Sequence, residues 1–143
     1  MARTESTSAG APRDYRTIGI IDDDERVRRA LGQLLGAVGF RTRGYASAEQ
    51  FLQHATRERI DCLLLDIHLD GMSGFDLQRY LMVSGRELPI IFMTGRDDPG
   101  TSQMARLAER VGYLAKPFSR ESLLAEIDAV APAAPRQDLQ KNR

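Results

Sequence analysis

Five acidic residues, one threonine and one lysine in this 143-residue chain stand where side chains can do chemistry. Asp22, Asp23, Asp24 and Glu25 follow directly on the apolar run TIGII, and Asp66 follows the leucines at 63–65. Thr94-Gly95 closes the stretch PIIFM, and Lys116-Pro117 closes VGYLA. Burying a carboxylate is costly unless a cation meets it, and three crowded together repel unless they are neutralised. An all-oxygen donor set with no His or Cys cluster favours a hard cation, Mg²⁺ (or Mn²⁺), which binds one or two carboxylates together with phosphate oxygens. A lysine ammonium and a threonine hydroxyl beside that metal complete a site for a phosphoryl group. A carboxylate so flanked is a candidate phosphoryl acceptor. Each group alone also has a plain reading: acids suit a helix start, Thr-Gly an ordinary loop, and Lys-Pro is unremarkable. Their conjunction, in order and each after an apolar run, favours the chemical reading.

The elements that must position these groups can be read from the pattern of apolar residues. The first strand is 17–21. Asp24 caps a helix that uses Val27, Ala30, Leu31, Leu34, Leu35 and Val38, and Gly39 ends it. FRTRGY is a short second strand, and Ser47-x-x-Gln50 fits a capping box at the start of a helix through Phe51 and Leu52. Residues 60–65 form a third strand, and Ser73 opens a helix with Phe75, Leu77, Leu81 and Met82. Residues 89–93 form the fourth strand. A weaker helix spans about 100–110, VGYLA is the fifth strand, and Ser119 opens a last helix with Leu123, Leu124, Ile127 and Val130 on one face. Strands alternating with helices predict a parallel sheet covered on both faces, with ligands bound at the carboxyl ends of the strands.

Twenty basic and twenty acidic residues cancel, so no net field attracts nucleic acid or an anionic membrane. Direct nucleic-acid binding and membrane insertion are not expected. The one cysteine, Cys62, sits beside the leucine run and reads as a buried thiol in a reducing cytoplasm. His54 is expected on the surface. Residues 1–15 are polar enough to read as a disordered arm, 16–130 as the folded domain, and the Ala/Pro-rich 131–143 as a flexible tail or linker stub.

Taken together, IIDDDERVR, LLLDIHLDGMSGFDL, PIIFMTG and YLAKPF resemble the receiver domain of bacterial two-component response regulators, over about residues 16–130. The wording MTG and AKPF is similar to the branch whose receivers precede LuxR-type DNA-binding domains. The resemblance implies a flavodoxin-like (βα)5 domain with sheet order 2-1-3-4-5. It implies that Asp66 is the phosphoacceptor, served by a sensor histidine kinase or phosphotransfer protein. Asp23 would bind Mg²⁺ directly, Asp22 through a water, and the His68 backbone carbonyl would add an oxygen. Thr94 and Lys116 would contact the phosphoryl group, the bond before Pro117 would be cis, and Tyr113 would be the aromatic switch. Read from the residues alone, Tyr113 is equally a half-buried strand aromatic. An output protein or domain and a phosphorylation-dependent homodimer are the further partners implied.

The chain departs from that pattern in several places. Asp70 stands where the family usually has proline; Asp-Gly is a good turn dipeptide, so a simple alternative turn is favoured over a further rim carboxylate. Glu109-Arg110 replaces a small pair before the fifth strand, which implies a displaced helix on the signalling surface. His68 and Arg96 flank the site two residues after Asp66 and Thr94, where the family tunes acyl-phosphate hydrolysis; a solvated loop pair is the plain alternative. Two other functions compete with the receiver reading. One is an interaction module that signals without phosphorylation, against which the intact Asp23, Asp66, Thr94 and Lys116 argue. The other is an Asp-nucleophile phosphatase of the haloacid dehalogenase type, which needs an acid where His68 stands. No output domain is legible after residue 130.

Overall fold

A computed structural model describes residues 16–54, 57–95 and 111–132. In chain order the elements are β1 (Thr17–Ile21), α1 (Glu25–Val38), β2 (Arg41–Tyr45), α2 (Ala48–His54), β3 (Cys62–Asp66), α3 (Gly74–Val83), β4 (Ile90–Thr94), β5 (Val111–Ala115) and α4 (Arg120–Val130). The strands form one parallel sheet in the order β2-β1-β3-β4-β5. This is the expected flavodoxin-like arrangement. The helix expected near 100–110, Arg96, Glu109 and Arg110 lie outside the described residues, as do 1–15 and 133–143.

The three central strands, β1, β3 and β4, are buried at every position, as a parallel sheet covered on both sides requires. Alternate residues then face opposite layers. Leu64, Ile91 and Met93 join Leu31 and Leu35 of α1 and Leu123, Ile127 and Val130 of α4 on one face. Leu63, Leu65, Ile90 and Phe92 join Phe51 of α2 and Leu77 and Leu81 of α3 on the other. Each fully buried aliphatic side chain contributes roughly 1.5–3 kcal/mol. Cys62 is a buried thiol in the first of these layers.

Capping fixes where the helices begin, and so where the loops at the strand ends lie. The Asp24 carboxylate accepts the Arg26 N–H, and Gly39, at φ 116°, closes α1. Ser73 and Asp76 exchange hydrogen bonds in a capping box, and Ser119 accepts the Ser122 N–H. At α2, Ser47 accepts the Gln50 N–H at 3.0 Å, but the Gln50 side-chain Oε1 accepts the Ala46 N–H, one residue earlier than a capping box predicts.

The structure corrects five expectations of detail. β2 begins at Arg41, after Phe40. β3 begins at Cys62, because Ile60 packs into the core outside the strand. β4 runs from Ile90 to Thr94; Pro89 lends its carbonyl to Leu63 but has no N–H to pair. Ala30 and Met82 are exposed, because the pairs Leu31/Leu35 and Leu77/Leu81 set the buried stripes and their neighbours rotate away. His54 is half-buried, its ring 6.1 Å from that of Tyr45. No helix among the described residues is long and apolar enough to cross a membrane.

Candidate functional site

Register brings the polar strand ends level. Ile21 pairs with Leu65, Asp66 with Met93, and Thr94 with Ala115, so the residues that follow β1, end β3 and β4, and follow β5 share one edge of the sheet. There, carboxylate oxygens of Asp22, Asp23 and Asp66 lie within 4.8 Å of one another. Asp22 is 1% exposed and fully engaged: Oδ1 accepts the Asp24 N–H at 2.9 Å and Oδ2 accepts the Lys116 ammonium at 2.8 Å. Asp23 is exposed. Asp24 turns away to cap α1, so only two acids of the run face the site.

Asp66 is buried at the end of β3. Its Oδ1 accepts the His68 N–H at 3.1 Å, and its Oδ2 lies 3.7 Å from the Lys116 Nζ. Burial pushes its carboxyl above the ordinary carboxylate range; the His68 N–H and the Lys116 ammonium oppose this, and the Asp22 and Asp23 charges add to it. Burial by itself would lower the Lys116 ammonium, but the Asp22 hydrogen bond and the Asp66 charge outweigh it, and the group is raised and stays charged. Three oxygen donors with one buried carboxyl held above its normal range suit a divalent, hard cation, which would reverse that penalty. The donor set therefore fits a metal of the Mg²⁺ class.

Asp66, His68, Gly95 and Lys116 line an open crevice at this edge. The Lys116–Pro117 bond is cis, and the Lys116 N–H donates to the Thr94 carbonyl at 2.6 Å, which ties β5's end to β4's. Thr94 is fully buried. Tyr113 pairs with Phe92, two residues before Thr94, so Tyr113 and Thr94 share a face on adjacent strands. Tyr113 is half-buried against the Phe92 layer. His68 and Asp70 are both exposed, and Asp70 lies outside the carboxylate group; Gly71, next to it, takes a left-handed φ of 75°.

Three supporting residues escaped the sequence reading. Gly74 brings α3 against β3: a Cβ there would sit 2.7 Å from the Asp66 carbonyl oxygen and 3.0 Å from Ile67 Cα. A glycine in the first turn of a helix is a poor helix former, which was the available signal. Arg28 of α1 donates to the Asp22 carbonyl at 2.7 Å, and its side chain passes over Gly44 of β2. Glu49 of α2 accepts the Met72 N–H. Neither of these two contacts leaves a mark in local sequence.

Comparison with known proteins agrees with the geometry. Residues 18–128 match the response regulator receiver domain family. The chain is 39% identical over 120 residues to response regulator protein TodT of Pseudomonas putida, covering 84% of this chain and 53% of TodT. It is 37% identical over 117 residues to nodulation protein W of Bradyrhizobium diazoefficiens, covering 82% and 50%. The chain thus spans about half the length of these curated relatives. Among solved structures, a response regulator receiver protein from Burkholderia phymatum superposes with a TM-score of 0.72 at 34% identity, covering 85% of this chain and 98% of that one. Response regulator StyR superposes at 0.76 with 33% identity, covering 90% and 65%. With five parallel strands in the order β2-β1-β3-β4-β5, and an acidic cluster at their carboxyl edge, this chain belongs to the response regulator receiver family of two-component signalling.

Proposed function

We propose that Asp66 accepts a phosphoryl group from a phosphohistidine of a sensor histidine kinase or phosphotransfer protein in the cytoplasm. The observation that carries this reading is the convergence of Asp22, Asp23 and Asp66 within 4.8 Å, with the Lys116 ammonium reaching both Asp22 and Asp66. An Asp66 carboxylate oxygen forms the new P–O bond while the donor's P–N bond breaks, and the electron pair leaves with the imidazole. Asp23, Asp66 and the His68 carbonyl would hold Mg²⁺ directly and Asp22 through a water, and the ion when bound neutralises charge on the transferred group. Lys116 offsets the remaining charge, and the Thr94 hydroxyl donates to a phosphoryl oxygen. Tyr113, on the same face as Thr94, is then the group through which occupancy of the site reaches β5 and the surface beside it. The chain turns over no separate substrate on this reading; acyl-phosphate formation and its hydrolysis are its whole chemistry. Partners that read the switched surface, a second copy of the chain among them, belong to the same proposal.

Beryllofluoride with Mg²⁺ supplies a phosphoryl-like ligand without turnover. Calorimetric titration is expected to show one Mg²⁺-dependent site per chain, lost in Lys116→Ala. No Mg²⁺-dependent binding in the wild-type chain would contradict this reading and favour an interaction module.

A further inference from the structure

Glu49 is exposed in the first turn of α2, yet its carboxylate serves the loop that leaves the acceptor strand. Its Oε2 accepts the Met72 N–H at 2.9 Å, across 23 residues of sequence. Gly71 makes room for this contact. A Cβ on Gly71 would sit 2.8 Å from the same oxygen, and its φ of 75° is left-handed, which favours glycine there. The other hydrogen bonds donated within the loop are local: His68 to Asp66, and Ser73 to Asp76. The Glu49 bond instead ties 68–73 to α2, an element that does not adjoin the loop in sequence. Asp70-Gly71 is a segment with much backbone freedom to lose, so such a tether has an effect there.

We propose that Glu49 is a positioning residue: its carboxylate latches the 68–73 loop to α2 and so holds the His68 carbonyl beside Asp66 for metal binding. The inference rests on the receiver reading above. Glu49 touches neither the metal nor the phosphoryl group; it acts through Met72. Two effects of the carboxylate can be separated, because glutamine keeps an acceptor oxygen and loses the charge. A latch needs the acceptor, whereas general attraction of a cation needs the charge.

Amide hydrogen exchange at Met72 in the metal-free protein, titration with Mg²⁺ alone, and thermal unfolding would be compared in wild type, Glu49→Ala and Glu49→Gln. With one hydrogen bond removed, Glu49→Ala is expected to speed Met72 exchange and weaken Mg²⁺ binding, each about fivefold, with little change in Tm. Glu49→Gln is expected to recover most of both. Wild-type exchange and affinity in Glu49→Ala would overturn the latch, and so would Glu49→Gln behaving like Glu49→Ala. Wild-type protein that binds no Mg²⁺ would instead overturn the receiver reading, while Met72 exchange, which needs no metal, reports the latch separately.

Discussion

Lys116 divides its charge unevenly, 2.8 Å from Asp22 and 3.7 Å from Asp66. The two carboxylates therefore respond differently to removal. Asp66→Asn leaves the ammonium its nearer partner and removes a carboxylate that burial disfavours. An acid whose value is higher in the folded than in the unfolded state binds more protons when folded, so stability falls as pH rises through that interval. Asp66 is such an acid. Asp66→Asn is expected to raise Tm at pH 7 by a few degrees, and the gain should vanish as pH falls to the ordinary carboxylate value, about 4. Equal Tm values at pH 7 would contradict this. Asp22→Ala has the opposite effect, because it takes the nearer partner from the Lys116 ammonium and the acceptor from the Asp24 N–H together. Urea denaturation is expected to show a loss of about 3 kcal/mol. A loss under about 1 kcal/mol, the scale of an exposed ion pair, would show that water replaces the contact.

Among the elements, α3 lies against the end of β3, and a missing side chain allows it. The Cβ of Gly74→Ala would meet the Asp66 carbonyl at 2.7 Å, and both contacts nearest it are backbone, which cannot swing aside. The substitution is expected to cost about 1–3 kcal/mol by thermal or urea unfolding and to slow phosphorylation by displacing Asp66. A variant with unchanged stability and rate would mean that α3 slides freely. Gly74 also marks what the sequence could and could not reveal. The bounds of β1 and β5 were legible because each is a continuous run ending at a polar residue. α1 was legible because Asp24 and Gly39 are local caps. The start of β3 was not, since Ile60 is apolar for packing and not for pairing. Asp22, Asp23 and Asp66 could be singled out from residue type and the order of strand ends. Arg28 and Glu49 could not, because their contacts depend on which loops meet across the sheet edge, and at Gly74 only the glycine itself, not what it approaches, was visible.

At the scale of the whole molecule, sheet order is what makes a site from separated segments. β1 and β3 are neighbours though α1, β2 and α2 lie between them in sequence, and that adjacency sets Asp22 and Asp23 beside Asp66. β4 and β5 add Thr94 and Lys116 at the same edge. Incubation with acetyl phosphate and Mg²⁺, followed by intact-mass measurement, tests whether this edge is one phosphoryl-accepting site. The wild-type chain should gain the mass of a single phosphoryl group in the presence of Mg²⁺ and none after chelation, and Asp66→Asn should gain none. An equal gain in Asp66→Asn, or no gain in the wild-type chain, would contradict Asp66 as the acceptor.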